Sequence, residues 1–249
     1  MRRKFLALGI GLLLAVKLFS APLVDDYAFL RDYTPFLAFV DAVRVQGDAP
    51  KAETLRMAII NNPLEDTIQQ AVLSIRSATL LSRLYTEAED PDEERARTLL
   101  DEAEAQLEHL QQYPYLHMMG QADIDSVHYL INPKRLGKGI SSNAMIKKAY
   151  AQFPNQVYAI LMKANSLLYA PSFAGGDKNE ALLLLLGLLD DAESLLSPWD
   201  RASIYTGIGR IAMERKDWET ALGYFQAAKA IYQYDPTLDS YIQETKEHL

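Results

Sequence analysis

Tyr205-Thr206-Gly207-Ile208-Gly209-Arg210-Ile211-Ala212-Met213, then Trp218-Glu219-Thr220-Ala221-Leu222-Gly223-Tyr224-Phe225-Gln226-Ala227-Ala228, decides the fold. Apolar and small residues recur in both halves at spacings of three and four, the signature of two amphipathic helices. Gly209 and Ala221 are small, which predicts that the two antiparallel helices cross closely there. Tyr205 and Phe225 supply bulky contacts beside the crossing, and Ala228 lets a following helix approach.

Working outward, the rest of the chain reads as helix after helix. Thr67 to Leu84 carries Ile68, Ala71, Val72, Ile75, Ala78, Thr79 and Ser82 on one stripe, and Glu93 to Leu110 carries Ala96, Leu99, Leu100, Ala103, Leu107 and Leu110 on another. Asp92 is the expected N-cap of the second. No alternating, β-branched run argues for a strand. Pro114, Pro154, Pro198 and Pro236 stand at spacings of 40, 44 and 38 residues, each after an Ala/Leu-rich helix. A period near 40 with two helices per unit predicts an all-α solenoid, in which stacked neighbours complete the core that one pair cannot close alone. The expected organisation is an N-terminal helical segment over 22–63, with helices from Asp25 to Val45 and Ala52 to Asn61. A repeat domain over 64–249 follows, with pairs at about 64–113, 115–153, 156–197 and 200–235 and a capping helix over 237–248.

The last pair resembles a tetratricopeptide repeat through Tyr205, Ile208, Gly209, Ala212, Trp218, Ala221, Leu222, Phe225 and Ala228. The preceding unit matches in part, with Tyr158, Leu161, Ala181 and Leu185, and departs at the long turn Tyr169 to Lys178. That turn, with Pro171-Ser172-Phe173-Ala174-Gly175-Gly176-Asp177-Lys178-Asn179-Glu180-Ala181-Leu182, resembles an inserted loop of bacterial envelope tetratricopeptide proteins, among them the T-component proteins associated with TRAP transporters. Ile146 to Tyr150, before Phe153-Pro154, fits the same layout.

Arg2, Arg3 and Lys4 precede the twelve apolar residues Phe5 to Val16, and Ser20-Ala21 offers small residues for cleavage. Twelve residues span only about 18 Å as helix, against roughly 30 Å of bilayer hydrocarbon. Residues 1–21 therefore read as an export signal, or an uncleaved anchor, and place the protein in the periplasm or cell envelope. The full chain has 25 Lys and Arg against 33 Asp and Glu; without Arg2, Arg3, Lys4 and Lys17 the balance falls from −8 to −12. That average charge argues against nucleic acid as a partner, and confines membrane contact to the N-terminal segment if it is retained. Cysteine is absent, which removes disulfides, thiolate metal sites and thiol nucleophiles.

Chemistry-bearing motifs are poor. Gly175 and Gly176 lack the strand and the Gly-Lys-Ser/Thr of a phosphate loop, and read as a turn with Asp177 or Asn179 starting a helix. His117 and His128, 11 residues apart, would lie about 16 Å apart along one helix, too far to share a metal. No Gly-x-Ser-x-Gly elbow is present. The expectation is therefore no catalytic residue, no metal and no cofactor, with a hydrolase built on distant carboxylates as the remaining enzymatic reading.

In tetratricopeptide arrays the first helix of each pair lines the concave side. The resemblance thus implies a right-handed array with Lys163 and Arg210 at the same inward position in successive pairs, flanked by Gln156, Ser166, Leu167, Ser203, Thr206 and Met213. Two cations there suit a peptide carboxylate or a small organic anion, unless each pairs with an acid of the next helix. The expected function is a non-catalytic protein- or peptide-binding scaffold, accessory to an envelope assembly or solute-uptake system. The alternative is a small organic-anion-binding component of the T-component type.

Overall fold

The computed structural model describes residues 21–171 and 175–249. The expected export signal, apart from Ala21, and Ser172 to Ala174 of the inserted loop lie outside the described residues. Among the described residues the protein is all-α, with twelve α-helices. The one β-type pairing is an isolated parallel bridge between Val24 and Gln156.

Helix starts are written in aspartate and proline. Asp48, Asp66, Asp92, Asp177, Asp217 and Asp235 each accept a hydrogen bond from backbone N–H groups of the helix they open. These caps satisfy donors that a helix cannot pair internally. Ser197 and Asp200 form a reciprocal capping box. Part of the acidic excess is thus helix punctuation. The prolines also serve beginnings: Pro114, Pro198 and Pro236 are the first residues of α6 (Pro114–Ile131), α10 (Pro198–Glu214) and α12 (Pro236–Glu247). Proline suits this position because its missing N–H would have no partner there.

Helices pack in consecutive pairs: α4 (Thr67–Glu87) with α5 (Glu93–Gln106), α6 with α7 (Leu136–Gln152), α8 (Val157–Tyr169) with α9 (Lys178–Asp191), and α10 with α11 (Trp218–Lys229). Between pairs, α4 touches α6 and α8 touches α10, while α5 meets α6, α7 meets α8 and α9 meets α10. Helix α12 closes the row against α11. The stripe expected on α4 is buried from Ala71 onward, with Ile68 half-buried, but so are Leu73, Ser74, Ser77 and Leu81 on its other sides. The reason is its position, with α5, α6 and α3 (Ala49–Asn61) packed around it.

The N-terminal segment departs from expectation. A helix from Asp25 to Val45 does not form. The chain instead makes α1 (Phe29–Asp32), breaks at Tyr33, resumes as α2 (Thr34–Asp41), with Pro35 in its first turn, and ends in a π-helical turn over Ala42–Gln46. Proline cannot sit inside a continuous helix without losing a hydrogen bond and clashing with the preceding turn, so the element is split there. Val24 is hydrogen-bonded between Asn155 and Val157, and at the far end the Tyr234 N–H donates to Arg44 O at 3.2 Å. Phe36 meets Trp199 of α10 edge-on, ring centres 6.2 Å apart. Residues 24–46 are thus a strap running from the α7–α8 turn to the loop before α12. Gly47 ends it with φ +64°, where any Cβ would lie 2.5 Å from the Tyr234 ring.

The crossing read from the last pair is tight. A Cβ on Gly209 would stand 2.7 Å from the Phe225 ring, and Ala221, Phe225 and Ala228 are fully buried. Gly209→Leu, or Ala221→Phe, should overpack this crossing and cost about 1–3 kcal/mol or more. Thermal melting checks this, and a variant that melts with the parent would refute the packing described.

Candidate functional site

Strap and helices border a partly open cavity of about 750 Å³. Its wall comes from α4, α6, α8, α10 and α12, and its opposite side from the strap and the loop holding Tyr232 and Tyr234. The lining is mixed, with many aromatic rings (Tyr27, Tyr158, Tyr169, Trp199, Tyr241) beside arginines and aspartates.

A polar chain crosses the wall. Arg76 of α4 donates through one Nη to Asp123 Oδ2 of α6 at 2.6 Å and to the Tyr158 hydroxyl of α8. Tyr158 in turn donates to Asp123 Oδ1 at 2.7 Å. The Arg76 guanidinium also lies over the Tyr158 and Tyr27 rings, at 4.7 and 5.9 Å from their centres. Burial alone would disfavour the Arg76 charge, but the Asp123 carboxylate outweighs it and holds the group protonated. Burial also pushes the Tyr158 and Tyr27 hydroxyls up, so both stay neutral donors.

Charge is incompletely matched elsewhere in the cavity. Arg44, on the π-helical turn, lies 5.2 Å from the Tyr232 ring centre, and its buried Nε has no acceptor. Among the described residues it forms no ion pair. The Nε atoms of Arg76 and Arg210 are likewise buried without an acceptor. Arg210 packs over Tyr169 and Tyr241, which line the cavity, at 4.6 and 5.6 Å. Two carboxyls complete the site. Asp25 accepts from Tyr27 N at 3.0 Å and stands 3.9 Å from Arg31. Burial raises its pKa to about 6, with the Asp200 charge adding to the shift. Asp200 is raised by burial too, against the hydrogen bonds from Ser197.

The residues expected at the groove are dispersed. Ser203 and Thr206 line the cavity, with Asn165 Nδ2 donating to Ser203 Oγ at 3.4 Å. Gln156 is buried and accepts from Asp26 N at 3.3 Å, so it fastens the strap. Ser166 donates to Asn143 of α7. Met213 lies against α12, its sulfur 3.8 Å from the Thr245 hydroxyl. Lys163 turns to Glu180 of α9 at 4.0 Å and does not line the cavity. Arg210 stands 3.8 Å from Glu214. Tyr205 packs beside Tyr224, ring centres 6.0 Å apart. Sequence reading missed Arg76, Asp123 and Arg44. A signal existed for two of them: Arg76 is the only charged residue between Asp66 and Arg83, and Asp123 one of two within α6.

No His lines the cavity, and no group of three His, Asp or Glu able to hold a metal occurs among the described residues. No protein-family model matches the chain, and no curated protein or solved structure matches it.

Asp25 generates a pH prediction. The folded state holds its proton more tightly than the ordinary value of 3.8 allows, so stability falls as pH rises from about 4 to about 6 and stays lower above. Asp25→Asn keeps the acceptor for Tyr27 N–H and should remove that fall, raising stability at pH 7 by about 1–3 kcal/mol. Melting curves from pH 4 to 8 check it; an unchanged pH slope would refute it.

Proposed function

We propose that this is a non-catalytic binding protein of the cell envelope, built as a tetratricopeptide-like solenoid whose inner wall takes a small organic anion. The solenoid reading is supported by the consecutive helix pairs, by first-helix contacts between α4 and α6 and between α8 and α10, and by the Gly209–Phe225 crossing. Export is supported by Arg2 to Lys4 before the apolar run Phe5 to Val16.

One observation carries the choice of ligand: Arg44, with no carboxylate partner, lines a cavity of about 750 Å³ among aromatic rings. That volume lies within the range of about 300–1,000 Å³ usual for small-molecule sites. It is small for a folded partner, and the strap already lies where a long peptide would run. A carboxylate in the cavity would pair with the Arg44 guanidinium, which no acid opposes among the described residues. A π-helical turn is also where functional side chains are often found. The C-terminal carboxylate of a peptide presents the same chemistry, so a partner protein engages this site through its last residue. Either occupant fits an accessory role in solute uptake or envelope assembly, as in the T-component type.

A hydrolase is the second reading, favoured by Asp25 and Asp200, two carboxyls with raised pKa on one cavity. Against it, Asp200 is engaged in capping α10 and Asp25 in holding Tyr27.

The test is a melting-temperature screen of small mono- and dicarboxylates and short peptides with free C-termini. A ligand at a hundred times its Kd stabilises by about 2.7 kcal/mol. For a chain of this size that is a rise of roughly 5–10 °C. Arg44→Gln should abolish the rise. No stabilising carboxylate in the screen, or undiminished binding by Arg44→Gln, would overturn the reading.

A further inference from the structure

From Ser126 to Gly176 the chain carries six lysines and arginines and no acidic residue, in a protein with an acidic excess. Two of the six are engaged: Lys138 by Asp125 and Glu104, and Lys163 by Glu180. The other four gather on α7 and the turn before it. Lys134 and Arg135 are exposed in the turn, Lys147 and Lys148 are exposed near the end of the helix, and none forms an ion pair among the described residues.

Helix α7 adds a second feature. Leu136, Ile140, Ala144 and Lys148 follow one another at intervals of four, so they share one outward stripe. Leu136 and Ile140 are 63 % and 69 % exposed, the most exposed of the large apolar side chains described. Tyr129, also exposed, rests against Gly139 beside them. Apolar side chains at the start of a helix, with free cations before them and farther along it, suit a surface that is oily beneath and negative on top.

The third feature is where the strap begins. Pro22 O accepts from Asn155 Nδ2 at 3.3 Å, and Val24 is hydrogen-bonded to Asn155 and Val157, immediately after α7. The chain preceding Ala21, which contains Arg2, Arg3, Lys4 and the apolar run Phe5 to Val16, therefore joins the described structure at the lysine-bearing end of this helix.

We propose that α7 and the turn before it form a docking face for an anionic lipid membrane, with Leu136 and Ile140 entering the headgroup layer and Lys134, Arg135, Lys147 and Lys148 on the lipid phosphates. The apolar stripe and the adjoining N-terminal segment favour lipid over an acidic protein. The average charge of the chain does not prevent this, because acids more than a Debye length away, about 8 Å at physiological salt, are screened. Asp125 and Glu104 are already opposed by Lys138, and Glu180, whose charge reaches Tyr150 of α7, stands 4.0 Å from Lys163. This face is separate from the cavity, so the two proposals fail independently.

The absence of cysteine allows a clean test. The full chain is labelled with an environment-sensitive dye at Ile140→Cys, or at Ser240→Cys on α12 as a control. It is then mixed with vesicles of phosphatidylcholine with or without phosphatidylglycerol. The expected result is a blue shift and brightening at position 140 with the anionic vesicles only, suppressed by high salt, and no change at position 240. Each lysine at an anionic surface contributes about fivefold to partitioning, so Lys147→Glu with Lys148→Glu should weaken it on the order of twenty-five-fold or more. Arg44→Gln should leave it unchanged. If position 140 stays in water while the chain sediments with vesicles, or responds equally to neutral vesicles, the proposal is overturned.

Discussion

The structure depends on one cation set in the cavity wall. Arg76 joins three successive helix pairs, because its partners Asp123 and Tyr158 stand on the next two first helices. It also underlies the ring of Tyr27, near the start of the strap. A charge placed there is costly unless it is paired, so the network tolerates few arrangements of α4, α6 and α8. Apolar packing alone would let neighbouring pairs slide by small amounts. A shared carboxylate and phenol give them a register, which in turn fixes the wall of the cavity.

Much of the helical plan was legible, for reasons visible in single residues. Asp92 and Asp177 stand before apolar periodicity and do cap helices, and Gly209 opposite Phe225 is small because a ring occupies its side-chain space. The strap was not legible. Its buried residues Leu30, Phe36, Phe39, Val40 and Val43 follow no single period, because they belong to a four-residue helix, a second helix and a π-helical turn. A reading that looks for one long amphipathic helix averages these three into one.

The candidate site was less legible than the fold. Position in a repeat says which helix faces inward, but not which side chain finds an acid on the way. Lys163 meets Glu180 on its own partner helix, and Arg210 settles between two tyrosines. Arg76 and Arg44 reach the cavity instead, and Arg44 arrives from the segment that no repeat pattern covers. Net charge says equally little about a single face. An average over the chain hides six cations without an acid in its middle, and hides that several aspartates are spent on opening helices.

Gly47 and Tyr234 have a mechanical consequence. A row of helix pairs held only by nearest neighbours behaves like a spring, and can fray from either end while the middle stays intact. Here the strap is pinned beside the middle of the row and again at its far end, where Tyr234 donates to Arg44 and fills the space left by Gly47. Peeling off α12 together with the loop before it would break contacts to the strap, and loosening the strap would free that loop. The ends therefore share their fate, and melting becomes a single concerted event in a shape that otherwise invites unzipping.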